Sequence, residues 1–515
     1  MATSDKWIIT LTVMIGTIMS ALDSSIVNVA LPYMRGSLSA TIEEITWVAT
    51  GYILSNVLIM PIVGMLSARY GRKNFYVFSI IMFTISSMLC GIAWDLSSMV
   101  FFRVLQGMAG GALIPVSQAI LRETFPPEEQ GMAMGLFGFG VVLGPAFGPT
   151  IGGWLTDHYS WPWVFFINVP IGLVNILMVL RFIKDPPYLV REKGKIDLLG
   201  LGFMTVGLGA FQIMLEKGEQ QAWFESEVIR YLLLASLVGI LLFIWRELTY
   251  ERPAVDLRIL KDLNFSSGSL IGGFLGMGLM SGLFLLPMFL QQFLGYPALD
   301  SGFIQMPRSI AMAFAMALGG KFYNKVGPRL LIGGGLVLTA ISFYQLSRLS
   351  LNMGYFDLFA PQVLQGIGFG VIFVALSTAT LATIEKPRLT AAAGLYNVVR
   401  QVFGSIGIAL AASQLTKAMT VNHAVLAESV TITSPSATAW LVSVTAGMQS
   451  QGADPDTARQ MALRLLDNEI SRQAGMMAYN HMYLLATFLF IISFPLIFFL
   501  KTQKKQEGTA EIVVE

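Results

Sequence analysis

The sequence predicts an all-α membrane protein in which two six-helix halves and two inserted helices give about fourteen transmembrane helices. Of its 515 residues, 55% are hydrophobic and only 12% are charged, whereas about a quarter of the residues in soluble domains are charged. A spanning helix needs about 20 apolar residues, and lipid leaves unpaired backbone groups without partners. Each long apolar run is therefore expected to be a helix, and short motifs that recur along the chain predict the two halves.

The apolar runs divide the chain into spans, inserted helices and one large loop. The predicted spans are 7–31, 45–66, 75–94, 98–120, 133–155, 164–184, 197–216, 229–247, 265–293, 302–320, 330–347, 358–384, 390–416 and 479–500. The predicted units are an N-terminal half over 1–184, cytoplasmic linkers and two inserted helices over 185–262, and a C-terminal half over 263–515 with an outer loop over 417–478.

The basic residues predict the orientation. An even number of spans puts both termini on one side of the membrane. If that side is cytoplasmic, 22 of the 33 Lys and Arg residues face the cytoplasm, eight face outward and three lie within spans. Cytoplasmic loops carry such an excess of positive charge, so both termini are expected to be cytoplasmic.

Three sequence matches, each at the same place relative to its spans, indicate an internal repeat. A shift of 259 residues pairs 104–107 with 363–366 and 133–137 with 392–396. A shift of 256 residues pairs 64–71 with 320–327. Repeats in this order predict two related halves in parallel arrangement, with the extra pair of spans inserted between them.

A glycine-containing basic turn follows the second span at residues 64–73. Glycines permit a tight turn, and the cations stay at the cytoplasmic surface. The segment resembles the loop signature of the major facilitator superfamily, although Ala68 stands where that family usually has Asp. The resemblance implies a cytoplasmic gating loop; a basic turn that only fixes topology is the alternative. The residues expected to form the loop are Gly64, Arg69, Gly71 and Arg72.

The fifth span carries a stripe of small residues and prolines at a spacing of four. Small residues let helices approach closely, and proline weakens helical hydrogen bonding. The pattern resembles the signature of exporters within the superfamily, and simple helix packing is the alternative. Its residues are Gly140, Gly144, Pro145, Gly148, Pro149, Gly152 and Gly153.

Residues 21–32 in the first span resemble the signature of the fourteen-span drug:proton antiporter family. Residues 165–172, 215–224 and 255–257 resemble its EmrB-type branch, and the likeness extends from about residue 12 to residue 500. The resemblance implies a multidrug exporter of the bacterial inner membrane that uses no cofactor. It also implies a periplasmic adaptor protein and an outer-membrane channel as partners.

Asp23 is the only carboxylate well within a predicted span. An anion buried in lipid is costly, so Asp23 is expected to be protonated, paired, or exposed to water in a cavity. Arg103 lies at a similar depth on the fourth span, and Gln106 follows on the same helix face at i+3. The family's Arg-x-x-Gln-Gly signature, which residues 103–107 resemble, implies a part in proton exchange. A fixed ion pair that only holds helices together is the alternative.

Other polar residues within the spans are candidates for the substrate cavity. They are Asn28, Asn56, Gln118, Asn397, Arg400 and Gln401. For each amide, helix-to-helix hydrogen bonding is the alternative, and for Arg400 it is carbonyl capping at a helix kink. Arg308, close to Pro307 near the outer end of the tenth span, is expected to reach the water interface.

Several classes of function lack their sequence signatures. The chain has no phosphate-binding Gly-x-x-x-x-Gly-Lys-Ser/Thr loop, and its three histidines lack metal-ligand spacing. We therefore expect no enzyme activity, no metal, no cofactor and no nucleic-acid partner. The leading hypothesis is a proton-coupled antiporter that exports hydrophobic or amphipathic drug-like compounds by alternating access. A proton-coupled uptake carrier, or a polytopic lipid enzyme or receptor that transports nothing, is the alternative.

The outer segment 417–478 is the only sizeable soluble region. Residues 454–457 form a plausible helix start before apolar residues at helical spacing, and a second helix is predicted near 437–448. The segment is expected to be either a lid on the membrane or a docking surface for a periplasmic partner.

Overall fold

Long apolar helices make up the structure, as the composition predicts. The computed structural model describes residues 3–186, 196–251, 253–431 and 433–500, and these residues contain no strand. The helices of the N-terminal half are α1 (Thr3–Ser37), α2 (Ile42–Ile45), α3 (Trp47–Ile59), α4 (Val63–Tyr70), α5 (Arg72–Gly91), α6 (Leu96–Thr124), α7 (Gln130–His158), α8 (Trp163–Phe166) and α9 (Asn168–Phe182). The remaining helices are α10 (Leu198–Lys217), α11 (Glu227–Thr249), α12 (Leu263–Gln292), α13 (Ala298–Val326), α14 (Pro328–Leu346), α15 (Tyr355–Thr380), α16 (Leu389–Ser429), α17 (Pro435–Ser450) and α18 (Pro455–Ser493).

The number of spans agrees with the prediction of about fourteen. Within the described residues, 13 segments are long and apolar enough to cross a membrane. The fourteenth is α13, which has 29 residues and occupies the place of the predicted tenth span. Charged side chains interrupt its apolar sequence, among them Asp300, Arg308 and Lys325. The prediction of an all-α bundle is confirmed.

Short polar side chains set several helix ends. The Asp95 carboxylate accepts a hydrogen bond of 2.7 Å from the backbone N–H of Ser98 at the start of α6. The carboxylate of Asp454 accepts from the backbone N–H groups of Asp456 and Thr457 at the start of α18, where the sequence predicts a helix to begin. Such caps satisfy backbone donors that the first helical turn leaves without partners.

Glycine forms the sharp turns that the repeat places in both halves. Gly71 links α4 to α5 with φ of 85°, and Gly327 links α13 to α14 with φ of 86°. Residues with a side chain rarely adopt this conformation. The repeated turns lie on the membrane face at which α1 begins, together with Lys6 and Arg329, and we call this the terminal face. The opposite side is the distal face.

The two halves pack closely at the terminal face. A Cβ atom added to Gly64 would lie 2.4 Å from the Cβ atom of Ala391 on α16, and one added to Gly131 would lie 2.7 Å from the carbonyl oxygen of Gly320 on α13. Arg122 donates a hydrogen bond of 2.8 Å to the carbonyl oxygen of Thr378. These contacts close the terminal face in this conformation.

The inserted helices α10 and α11 pack on each other and on the edge formed by α3 and α16. Their ends at the terminal face are fixed by buried acids. The Asp197 carboxylate accepts a hydrogen bond of 2.8 Å from Arg246, and Glu247 accepts one of 2.9 Å from the backbone N–H of Val255. The pair thus forms a peripheral unit attached to the outside of the two halves.

The outer segment is more helical than the sequence predicts. Helix α16 continues 13 residues beyond the predicted span end at 416, and α18 begins 24 residues before the predicted span start at 479. The two extensions bind each other through His423 and Asp467, whose side chains are 2.9 Å apart, and through Asn422, which donates to the carbonyl oxygen of Ala474. The predicted helix near 437–448 is present as α17.

Gly64→Ala is expected to force α4 and α16 apart, because the new methyl group would overlap Ala391. Spin labels at Tyr70→Cys and Lys386→Cys, on exposed positions at the terminal face, should then show a longer distance by pulsed electron paramagnetic resonance. Cys90, the only natural cysteine, is buried and should not take up label.

The matched control is Gly334→Ala on α14, where an added Cβ atom would meet nothing within 4 Å. It should leave the distance distribution unchanged. An unchanged distribution in Gly64→Ala as well would mean that this contact does not hold the two halves together.

Candidate functional site

A cavity lies between α7 and four helices of the C-terminal half. Its volume is about 130 Å³, and most of its lining is aliphatic, aromatic or Met side chains. The polar lining consists of Arg308 and Ser309 on α13 and Arg400 and Gln401 on α16. Small-molecule sites commonly combine apolar walls with a few polar groups that fix orientation. The cavity is therefore the candidate binding site.

A buried polar network surrounds Asp23 in the N-terminal half. Arg103 Nη1 donates to Asp23 Oδ2 at 2.6 Å, and Gln106 Nε2 donates to Asp23 Oδ1 at 2.8 Å. Arg103 Nη1 also donates to Gln106 Oε1 at 2.7 Å. The side chain of Asp23 is 0% exposed and that of Arg103 is 1% exposed. The structure thus brings together the three residues for which the sequence predicts proton coupling.

Asn168 is a fourth member of this network, and sequence reasoning did not select it. Its Nδ2 donates to Asp23 Oδ1 at 2.9 Å and to Ser87 Oγ at 3.0 Å. It is the first residue of α9, in a segment that the sequence analysis used only for its family resemblance. The available sequence signal was an Asn inside the predicted apolar span 164–184, because polar groups that become buried need partners.

Neighbouring backbone and aromatic groups hold the network in place. Arg103 Nε donates to the carbonyl oxygen of Val48 at 3.0 Å, and its guanidinium carbon lies 4.2 Å from the centre of the Tyr52 ring. Ser87 donates to the carbonyl oxygen of Phe165 at 2.9 Å. Arg103 therefore meets the Asp23 charge, a carbonyl and an aromatic face, which together compensate a buried cation.

The small-residue stripe of the fifth span packs on the first span next to Asp23. Added Cβ atoms would lie 2.3 Å from the Ala21 carbonyl carbon at Gly144 and 2.0 Å from Ser25 Oγ at Gly148. Ser25 donates a hydrogen bond of 3.0 Å to the carbonyl oxygen of Gly144. Pro145, in contrast, lines the cavity. The stripe holds α7 against the helix turn that carries Asp23.

The remaining stripe residues continue along the same helix. An added Cβ atom at Gly140 would contact Met14 and Ile18, and one at Gly152 would contact Ile26. An added Cβ atom at Gly153 would lie 3.9 Å from Val29. Helix α7 runs through Pro145 and Pro149 without a break. One face of α7 thus packs closely on α1, and another face forms one wall of the cavity.

The basic turn at the terminal face makes an ion pair to one neighbouring helix and a backbone hydrogen bond to the segment that follows another. Arg72 is buried and pairs with Glu123 near the end of α6. The backbone N–H of Lys73 donates to the Asp185 carboxylate at 2.7 Å, and Arg69 lies beside the Tyr70 ring. Ala68 supplies no acid at this turn, and the acidic partner of Arg72 lies on α6.

The other cavity candidates occupy three different environments. Arg400 and Gln401 line the cavity. Asn397 donates a hydrogen bond of 2.7 Å to Gln118, which joins α16 to α6 across the two halves. Asn28 is exposed on α1. Asn56 is buried on α3.

The sequence predicts that Arg308 reaches the water interface, and this prediction is wrong. It is 4% exposed and donates to Gln305 Oε1 at 3.0 Å and to Gln365 Oε1 at 3.3 Å. The helix begins at Ala298, four residues before the predicted span start at 302. Arg308 therefore lies about three turns inside the helix, where its side chain lines the cavity.

A bundle of spanning helices with a cavity between its halves and a buried ion pair in its first half is the architecture expected of a membrane transporter. Residues 13–408 match the sequence model of the Major Facilitator Superfamily. The chain therefore belongs to the major facilitator superfamily, whose members are transporters and not enzymes, and it is a multi-pass membrane protein of the EmrB-like type.

Relatives match nearly the whole chain. The multidrug export protein EmrB of Escherichia coli strain K12 is 33% identical over 495 residues, which cover 96% of this chain and 95% of that protein. The fatty acid resistance protein FarB of Neisseria gonorrhoeae is 34% identical over 498 residues, which cover 96% of each. The crystal structure of the human organic anion transporter MFSD10 (TETRAN) has a TM-score of 0.63 at 13% identity, covers 96% of this chain and 99% of that chain, and supports the fold alone.

Arg103→Ala is expected to lower the free energy of unfolding by about 3–5 kcal/mol, because it leaves the buried Asp23 carboxylate without its cation. Thermal unfolding of the purified protein in detergent would measure the loss. Adding Asp23→Asn to Arg103→Ala should restore part of the stability, since the double variant buries no uncompensated charge.

The control is Arg230→Ala, which removes an exposed ion pair with Glu227 at 3.7 Å. Its effect should stay below about 1 kcal/mol. If the Asp23→Asn/Arg103→Ala double variant is less stable than Arg103→Ala alone, the unpaired charge is not the cause of the loss.

Proposed function

We propose that the chain is a proton-coupled antiporter that exports hydrophobic or amphipathic drug-like compounds across the bacterial inner membrane by alternating access. The observation that carries this proposal is the buried network of Asp23, Arg103, Gln106 and Asn168, which helix α7 separates from the cavity. A charged pair in the membrane interior is costly, and such residues commonly mark proton pathways. The names of the EmrB and FarB relatives support export as the direction.

Protonation of Asp23 would change the network at one defined point. An ionised Asp23 accepts three hydrogen bonds and neutralises Arg103. A protonated Asp23 would lose most of its attraction for Arg103, because the Coulomb energy between the two groups depends on the carboxylate charge. Arg103 would then need another acceptor, and the packing of α1 on α6 would change. The proton thereby becomes coupled to helix position.

Exposure of Asp23 must alternate for this coupling to move protons. In the described conformation the terminal face is closed and Asp23 is inaccessible to water. We propose that Asp23 takes up a proton when the cavity faces outward, and releases it when the cavity faces the cytoplasm and accepts substrate. Proton and substrate would then occupy the carrier at different stages of the cycle.

The basic residues support a cytoplasmic terminal face, because loops there carry most of the Lys and Arg residues. Both termini would then be cytoplasmic.

We also propose that residues 1–184 and 263–515 move as the two halves, with 185–262 attached at the periphery. Their interface at the terminal face includes close glycine contacts, which let the two halves approach and separate with little side-chain interlocking at those points.

Asp23→Asn is expected to abolish export driven by a pH gradient, because the side chain can no longer exchange a proton. It should still insert into the membrane and bind some substrate. Asp23→Glu should keep part of the transport with an altered pH optimum. Arg103→Ala should also impair coupling, and Arg103→Lys should do so less. The measurement is substrate flux in proteoliposomes under an imposed pH gradient, with proton release on substrate addition.

Wild-type flux and wild-type proton release in Asp23→Asn would place the proton carrier elsewhere. The direction of transport needs its own comparison. Substrate should accumulate in inverted vesicles and not in right-side-out vesicles, whereas an uptake carrier would give the opposite result.

We further propose that the outer segment docks a periplasmic adaptor protein, which would connect the transporter to an outer-membrane channel. Helices α16 and α18 extend beyond the predicted membrane spans and pair through His423 and Asp467. Helix α17 has no buried residue, and its Val442 side chain is 63% exposed. The paired extensions of α16 and α18, with the exposed helix α17 beside them, offer a surface to which a partner could bind.

Replacing residues 434–451 by a Gly/Ser linker of equal length is expected to abolish capture of a co-expressed, membrane-anchored periplasmic adaptor, because it removes α17. Flux in proteoliposomes should be unchanged, since α17 contacts none of the cavity residues. Asp23→Asn serves as the converse control, with adaptor capture kept and flux lost. Undiminished capture by the linker variant would rule out α17 as the docking surface.

A further inference from the structure

A polar group in the C-terminal half has the arrangement of the Asp23 network but lacks its carboxylate. The repeat shift of 259 residues pairs Gln106 with Gln365 and Arg103 with Gln362. The same shift pairs Asp23 with Gly282 on α12. Where the N-terminal half supplies its own anion, the C-terminal half has a glycine.

Contacts between helices support this correspondence. An added Cβ atom at Gly107 would lie 2.3 Å from the carbonyl oxygen of Tyr52, and one at the paired Gly366 would lie 2.3 Å from the carbonyl oxygen of Arg308. Arg308 therefore occupies the position of Tyr52. The cation of the C-terminal half comes from α13, whereas the cation of the N-terminal half comes from α6.

Arg308 lacks an acidic partner within the described residues. Its hydrogen bonds go to Gln305 Oε1 and Gln365 Oε1, which are neutral acceptors. A guanidinium carries five N–H donors and stays charged in proteins. Burial of such a group without an anion is costly, so the site is electrostatically incomplete.

Buried polar atoms of Gln365 and Tyr483, which neighbour Arg308, lack partners, and so do those of Gln362, the repeat counterpart of Arg103. The Nε2 atom of Gln365 and both amide atoms of Gln362 have no hydrogen bond, and the same is true of the hydroxyl group of Tyr483. Tyr483 lies close enough to Arg308 to interact with it electrostatically. Native proteins rarely leave buried donors unsatisfied. This concentration around one cation indicates a site for an acceptor that comes from outside the chain.

Space is available at the position that corresponds to Asp23. A Cβ atom added to Gly282 would meet nothing closer than 3.6 Å, and its neighbours would be the Phe343 ring and Gln365 Nε2 at 3.7 Å. Arg308 itself lines the cavity, as do Leu279 and Leu283 on either side of Gly282. A ligand in the cavity can therefore reach the guanidinium.

We propose that Arg308 and Gln365, with Tyr483 beside them, bind the carboxylate of an amphipathic monoanion whose apolar part occupies the cavity. The ligand's carboxylate takes the role in the C-terminal half that the Asp23 carboxylate has in the N-terminal half. Arg400, across the same cavity, adds a second positive charge beside the Phe373 ring. The proposal rests on the proposed transport function and names a class of substrate for it.

The test is equilibrium binding to the purified full-length chain in lipid nanodiscs, without a pH gradient. The probes are 2-naphthoate and 2-naphthalenemethanol, which share the ring and differ in the carboxylate, with empty nanodiscs as the blank. Gly282→Asp supplies the missing carboxylate from the chain itself. It should weaken 2-naphthoate binding about tenfold or more and leave 2-naphthalenemethanol binding nearly unchanged.

Gly282→Asn is the matched control, because it adds a side chain of the same shape without the charge. It should keep 2-naphthoate binding within about threefold of wild type. Arg308→Gln should lose the preference for 2-naphthoate over 2-naphthalenemethanol, and Arg308→Lys should keep part of it. A melting temperature for each variant checks folding.

Equal 2-naphthoate binding by Gly282→Asp and Gly282→Asn, whether strong or weak, would overturn the proposal. An unchanged preference in Arg308→Gln would do the same. These results are independent of coupling, since Asp23→Asn should still prefer 2-naphthoate. Loss of pH-driven flux in Asp23→Asn would support the proposed antiporter. If wild type at the same time showed no preference for the carboxylate probe, the proposed anion site would be contradicted.

Discussion

A carboxylate and a guanidinium buried together in the first half of the bundle set the main constraint on this structure. Lipid does not tolerate either charge alone, so four helices must supply compensating groups at one depth. Helix α1 brings Asp23, α6 brings Arg103 and Gln106, α9 brings Asn168, and α5 brings Ser87. Packing of these helices is therefore tied to one charge, and a change in that charge acts on all of them at once.

Glycine allows the close helix contacts that this constraint requires. Gly144 and Gly148 bring α7 against the turn of α1 that carries Asp23, while Gly64 and Gly131 bring the halves together at the terminal face. The first pair serves a contact within one half, and the second pair serves a contact between halves. A stripe that resembles an exporter signature thus positions Asp23 on one side and, through Pro145, lines the cavity on the other.

Much of the fold was predictable, because apolar runs in lipid leave only helices as an outcome. Asp23, Arg103 and Gln106 were predictable as a group from depth and i+3 spacing, whereas Asn168 looked like an ordinary amide at a helix end. Arg308 was misjudged because α13 starts earlier than its apolar run. The extension of α16, and the continuity of the helix that starts near residue 454 with the last span, escaped prediction because the polar faces of the two extensions stabilise each other in water through contacts such as His423 with Asp467, which hydropathy does not detect.

The two halves differ in where their negative charge comes from, and this difference bears on energetics. In the N-terminal half the anion is the covalently fixed Asp23 carboxylate, which we propose takes up a proton; in the C-terminal half the proposed anion is cargo that leaves with each cycle. Export of one monoanion in exchange for one inward proton moves two charges in the direction that an inside-negative potential favours. Each charge contributes about 2.3 kcal/mol per 100 mV. The membrane potential would then drive export of an anion even without a pH difference, whereas a neutral compound would gain from only one of the two charges.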